Sequence, residues 1–148
     1  MKDELLELVG QTIKRQHLLR EGDACLVALS GGADSVSLLI VLQTLGFRVE
    51  AAHCNFHLRG SESLRDEMFC RDLCERLQVP LHVVDFQTKK EAQANGESIE
   101  MAARRLRYAW FEMLRKERQL DKIAVGHHRD DNIETLLLNL VRGTGIRG

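Results

Sequence analysis

Six consecutive residues, Ser30-Gly31-Gly32-Ala33-Asp34-Ser35, place two hydroxyl groups, two glycines and a carboxylate in one short turn. The apolar run Cys25-Leu26-Val27-Ala28-Leu29 precedes it and reads as a buried strand. The run from Val36 to Leu45, closed by Gly46, reads as a helix. A small turn in that position lets backbone N–H groups approach a phosphate, and the dipole of the following helix favours the negative charge. The turn has no Gly-Lys-Ser/Thr, which separates it from a Walker A loop. Gly-x-Gly-x-x-Gly is also absent, which argues against a dinucleotide-binding fold. A tight turn with an Asp or Ser cap explains the same residues without any ligand.

A second constellation is Gly126-His127-His128-Arg129-Asp130-Asp131-Asn132-Ile133-Glu134-Thr135. Asp131 and Glu134 are three apart and share one face of a helical first turn. Beside a phosphate loop, two such carboxylates could hold Mg2+ or a substrate ammonium group. They could equally form a capping pair.

From Arg104 to Arg118 there are six basic residues against two acidic ones. Arg115, Lys116 and Arg118 read as a solvated face. Arg104 and Arg107 are better placed to neutralise phosphate or a developing charge. The segment His53-Cys54-Asn55-Phe56-His57-Leu58-Arg59 has two His and a Cys, but not at the spacing of a closed zinc site. His53 reads instead as an edge-of-strand residue lining an adenine pocket.

The elements that must carry these groups follow from periodicity. Leu5, Val9 and Ile13 mark an opening helix to about Leu19, and Arg48–Asn55 reads as a second strand. Phe69, Leu73 and Leu77, flanked by Cys70 and Cys74, form a helical stripe from about Ser63. Pro80 ends it and introduces the strand 81–86. A polar stretch with Gly96 follows. Then comes a helix with Ala102, Leu106, Trp110 and Leu114 inward, and Arg104, Arg107, Tyr108 and Phe111 on another face. A strand over Lys122–Val125 and a final helix over 132–141 complete the pattern. Alternating strands and helices predict an α/β domain: a parallel sheet sandwiched by helices, with right-handed crossovers. Ligands then bind beyond the carboxyl ends of the strands, which gathers the 30–35, 53–59 and 126–135 segments at one edge.

Length and composition agree. The 148 residues suffice for one domain, residues 1–148, with 44% apolar and 29% charged residues and a net charge of −1. No global field advertises a nucleic-acid partner, so any such contact must come from a local patch. A polar start, no long apolar segment and four cysteines without Cys-x-x-Cys spacing point to a cytoplasmic protein with no membrane role.

Ser-Gly-Gly-x-Asp-Ser is the signature of the PP-loop, or N-type, ATP pyrophosphatases, which have a Rossmann-like, adenine nucleotide alpha hydrolase-like fold. With His53–Arg59, Ser98–Tyr108, Gly126–Thr135 and Arg142–Gly145, nearly the whole chain resembles the N-terminal domain of bacterial tRNA(Ile)-lysidine synthases. The resemblance implies an ATP-dependent ligase whose partners are L-lysine and the tRNA(Ile) with a CAU anticodon, and it suggests a homodimer. ATP would adenylate the C2 oxygen of the wobble cytidine, and the lysine amine would then displace AMP. Ser30, Gly31, Gly32, Ala33, Asp34 and Ser35 would hold the phosphates, and Asp34 would help place Mg2+. Arg107, together with Arg104, would stabilise charge on the leaving AMP or on the activated base, and Asp131 and Glu134 would grip or deprotonate the lysine ammonium. The further tRNA-recognising domains of that family are absent from this sequence, which implies weak or no lysidine formation by this stretch alone. The alternatives are another PP-loop enzyme that modifies tRNA or makes amides, and a nucleotide-binding module without catalysis.

Overall fold

The computed structural model of the chain describes residues 2–16, 19–128 and 136–141. The elements run α1 (Lys2–Gln16), β1 (Ala24–Ala28), α2 (Ala33–Thr44), β2 (Arg48–Asn55), α3 (Ser61–Leu77) and β3 (Leu81–Asp85). They continue with α4 (Thr88–Asn95), α5 (Ile99–Glu117), β4 (Lys122–His128) and β5 (Leu136–Val141). One sheet has the order β3-β2-β1-β4-β5. The first four strands are parallel, in registers such as Val27 with Ala51 and Val27 with Ala124.

Two sequence expectations need correction here. The helix expected over 132–141 is, within Leu136–Val141, the strand β5. It runs antiparallel to β4, so the sheet is not wholly parallel. Leu136-Leu137-Leu138-Asn139-Leu140-Val141 is apolar almost throughout and displays neither period clearly. Pairing with β4 satisfies the N–H and C=O groups along that strand's open side. Residues 132–135 lie outside the described residues. The second correction is α4, which forms where only a polar stretch was read, ending at Gly96 in the left-handed region (φ 63°).

Strand alternation distributes the core. Cys25, Val27, Leu29 and Ala51 face α1, α2 and α3, and pack with Ile13, Leu38, Leu42, Cys70 and Cys74. Ala24, Leu26 and Ala52 face α5 and pack with Phe111 and Leu114. Phe111 was expected on the outward face of its helix, yet it is 2% exposed. The apolar stripe of α5 is one residue wider than the i, i+4 series implied. Similarly, Cys70 and Cys74 form the centre of the α3 stripe, while Phe69 is exposed. Truncating a fully buried side chain such as Leu38 or Leu42 (both 0% exposed) costs about 2–5 kcal/mol.

All four cysteines are free. Burial pushes the thiols of Cys25, Cys54 and Cys70 up to about 12 and that of Cys74 to about 11, which keeps them protonated. Arg115 is not a solvated residue. Its guanidinium reaches Glu112 at 2.7 Å and donates to the Leu120 carbonyl at 3.1 Å, tying the end of α5 to the turn before β4.

Candidate functional site

From β1 the chain builds outward through β2 to β3, and then returns to place β4 on the other side of β1. The connections therefore diverge between β1 and β4, and at such a point the carboxyl ends of the strands leave a crevice. The 30–35 turn leaves β1 there and enters α2.

Its shape is held by its own hydroxyl groups. Ser35 is 3% exposed. Its Oγ accepts from the Ser30 N–H at 3.0 Å and donates to the Gly32 carbonyl at 3.1 Å. The Ser30 Oγ lies 3.1 Å from the Ser35 Oγ and accepts from the Gly32 N–H at 3.2 Å. With the Ser35 hydrogen committed to Gly32, the Ser30 hydroxyl donates to Ser35. Gly32 is the N-cap of α2 and supplies no side-chain acceptor. The first-turn N–H groups of α2 therefore face the crevice with a positive dipole end and no side-chain cap. Ala33 is exposed there, and Asp34 is half-buried in the same turn.

Two glycines permit close approach. Gly31 has φ +100°, and a Cβ on it would stand 3.5 Å from Asp66 Cβ, so α3 packs directly against the turn. At Gly126 a Cβ would stand 3.1 Å from Leu38 Cδ2 and 3.2 Å from the Asp34 carbonyl oxygen, so the end of β4 lies flat on the first turns of α2.

The crevice is a cleft of about 320 Å3 whose wall includes Ser30, Ser35, Cys54, Phe56, Arg107 and Gly126. Arg107 comes from α5. Its Nε is buried with no hydrogen-bond partner, and its guanidinium carbon lies 4.9 Å from the Tyr108 ring centroid. Burial is the main influence on the Cys54 thiol, and the positive charge of Arg107 pulls it the other way. Arg104 is exposed at 6.0 Å from the same ring and lies outside the wall of the cleft.

The structure thus brings Ser30, Ser35 and Arg107 together but places His53 elsewhere. His53 alternates to the α3 side of β2, while Ala52 and Cys54 face the cleft. It lines a second pocket of about 180 Å3 with Ser30, Asn55, Arg59, Ser63 and Asp66. Its Nδ1 donates to the Leu29 carbonyl at 2.8 Å, and the Cys70 Sγ lies 3.6 Å from the same nitrogen. Its Nε2 is buried without a partner.

Asn55, which sequence reasoning gave no role, closes this end of β2. It donates to Glu67 at 3.2 Å and accepts from the His57 N–H at 2.9 Å. His57 itself holds Asp85 at 2.8 Å. Asp66 had no local signal, because it sits among ordinary helix charges and becomes notable only through the turn of Gly31. Asp131 and Glu134 lie outside the described residues. Among the described residues, no group of three or more His, Cys, Asp and Glu side chains is placed to hold a metal. No described helix is long and apolar enough to cross a membrane.

A family model described as a PP-loop domain matches residues 2–148. The chain belongs to the PP-loop family. This PP-loop domain is 58% identical over its whole length to a protein of Porphyromonas gingivalis W83 named tRNA(Ile)-lysidine synthase, covering 33% of that protein. Proteins of the same name are 58% identical in Bacteroides thetaiotaomicron (92% of this chain, 32% of that protein) and 48% identical in Chlorobaculum tepidum (93% and 43%). The domain spans about a third of the length of the first of these curated relatives. Among solved structures it is similar to an NH3-dependent NAD synthetase from Campylobacter jejuni, with a TM-score of 0.57 and 16% identity over 82% of this chain and 53% of that one. That likeness agrees with the α/β adenine nucleotide alpha hydrolase-like fold.

Proposed function

We propose that residues 1–148 form the ATP-binding catalytic domain of a tRNA(Ile)-lysidine synthase. The carrying observation is the meeting of the hydroxyl-locked 30–35 turn and Arg107, whose buried Nε has no hydrogen-bond partner, in one cleft at the divergence of β1 and β4. The name shared by relatives 58% identical over the whole chain or most of it supplies the substrate class.

In this reading the backbone N–H groups of the turn hold the ATP phosphates. The C2 oxygen of the wobble cytidine in the CAU anticodon attacks the α-phosphorus, and the bond to the β-phosphate breaks to release pyrophosphate. The ε-amine of L-lysine then attacks C2, and the C–O bond to AMP breaks. Arg107 meets the negative charge that grows on the departing phosphate in both steps. Asp131 and Glu134 accept the proton that lysine must lose to become nucleophilic. Asp34, in the first turn of α2, fits Mg2+. That ion takes one or two protein carboxylates and fills its remaining positions with phosphate oxygens and water, and it would offset phosphate charge here.

A calorimetric titration of Mg-ATP into this chain and its Ser35→Ala variant tests the reading, with GTP as the specificity control. Binding of ATP that the variant weakens supports it. A lysine-dependent assay on the same domain within a full-length protein then tests the ligation. Absence of pyrophosphate release there would leave a binding module and overturn the enzyme reading.

A further inference from the structure

Three consecutive residues at the end of β2 are tied one by one to the segment that joins β3 to α4. The Asn55 carbonyl accepts from the Phe86 N–H at 2.9 Å. The Phe56 carbonyl accepts from the Thr88 hydroxyl at 2.9 Å, and Thr88 is 1% exposed. The His57 ring lies 2.8 Å from the Asp85 carboxylate. A ring contact joins these bonds, because Phe56 stacks on Phe86 with centroids 5.7 Å apart and planes 26° from parallel. His57 sits in the left-handed region (φ 54°), which is uncommon for a residue with a Cβ, so the sharp turn after Phe56 is held by its surroundings.

The Phe86 ring has a second neighbour. It meets Trp110 of α5 edge-on at 6.4 Å, and Trp110 lies 5.9 Å from Phe111. Phe111 meets Tyr108 edge-on at 6.0 Å, and the Arg107 guanidinium stands over Tyr108. This chain of contacts begins at Phe56 and ends at Arg107, both in the wall of the nucleotide cleft, while Phe86 and Thr88 lie outside that wall. The pairing of β2 with β3 ends at Asn55 with Asp85. The ties beyond that point therefore act on the loop after β2 and not on the sheet.

We infer that Phe86 and Thr88 are positioning residues that set the spacing between the Phe56 wall and the α5 wall of the cleft, and through it the grip on the nucleoside part of ATP. The inference rests on the ATP-binding reading above. With the phosphates on the 30–35 turn, the base and ribose are left to the rest of the wall, which is largely apolar and includes Ala52, Phe56, Phe111 and Val125. A planar base gains from two such walls only where their separation matches its thickness, because dispersion is forfeited across even a small gap. The hydroxyl bonds of the 30–35 turn do not involve the β3–α4 junction. The phosphate end therefore keeps its shape when the junction is altered.

Calorimetric titration of Mg-ATP and of magnesium tripolyphosphate into this chain is the test, since the second probe carries the phosphates without the nucleoside. Phe86→Leu removes the ring that touches both walls. It should weaken ATP about three- to tenfold, the scale of lost aromatic contact, and leave tripolyphosphate unchanged. Phe86→Tyr keeps the ring and should bind both probes as the unaltered chain does. Thr88→Val removes the hydroxyl that holds the Phe56 carbonyl and should weaken ATP in the same selective way; it carries the test if Phe86→Leu does not fold. A junction with only a structural role would lower the unfolding temperature and leave both affinities as they are, which overturns the inference. An equal loss for the two probes, or a Phe86→Tyr variant as weak as Phe86→Leu, overturns it too. ATP that binds the unaltered chain no more tightly than tripolyphosphate sinks the inference and leaves the phosphate turn standing, whereas binding of neither probe sinks the ATP reading beneath it.

Discussion

Toward its two ends, β2 carries two polar clusters of opposite completeness. Near its start, Glu50 has a side chain only 5% exposed and is fully partnered. His82 reaches it at 2.8 Å and Arg118 at 2.9 Å, with Arg48 at 3.6 Å. Near the end of β2, His53 Nε2 and, across the strand, Arg107 Nε are buried with no partner. A buried polar atom left in that state costs about 1–3 kcal/mol. The closed cluster joins β2 and β3 to the end of α5 and contributes stability. The open one forgoes stability where a ligand can supply the missing bonds.

The sharpest way to break this contrast is Ser35→Ala. It removes the hydroxyl that organises the turn and should cost about 1–3 kcal/mol of stability along with more than tenfold in ATP affinity. Thermal unfolding and calorimetry on one preparation read both. A loss of affinity without loss of stability would show that the hydroxyl acts on the ligand alone.

Glu50→Gln comes next. It leaves Arg118 and His82 without their carboxylate and should destabilise by about 1–3 kcal/mol, with ATP affinity unchanged. Its acid behaviour adds a second reading. Burial alone would raise the Glu50 carboxyl, but its hydrogen bonds to Arg118 and His82 outweigh that and hold it below its ordinary value of 4.5. The carboxylate therefore contributes stability above the unfolded value, and that contribution disappears as pH falls through the folded one. Urea unfolding between neutral pH and about pH 3 should show a steeper decline for the native sequence than for Glu50→Gln.

Arg107→Gln should show the reverse of Glu50→Gln. About a tenfold loss of ATP affinity, or ~1.4 kcal/mol, is expected with little change in unfolding temperature. A large fall in stability would mean that Arg107 belongs with the closed cluster. The smallest effect is assigned to Gly126→Ala, at about 1 kcal/mol, because the added carbon would stand closer than ordinary van der Waals contact to Leu38 and the Asp34 carbonyl.

What was legible in the sequence was local. The 30–35 turn could be read because its chemistry lies in adjacent residues, and β1 to β4 because each is a short segment with an apolar centre bounded by turn residues or helical patterns. His53 lines the pocket on the α3 side and not the main cleft because residues 52 and 54 share one face of β2, and 53 must take the other. What fills that other face is α3, a contact that Gly31 permits and that no spacing announces. Phe111 was misplaced because an i, i+4 count leaves out the residue beside the seam. The 136–141 run was misread because nearly uniform apolar character has no period.

The hydroxyl lattice of the 30–35 turn has a kinetic consequence. Its hydrogen bonds close within the turn itself, so the ordering entropy of the turn belongs to folding and not to association. A nucleotide arriving there meets a preorganised cradle, and stopped-flow binding should follow a single exponential whose rate rises linearly with nucleotide concentration, without the plateau that a slow rearrangement would impose.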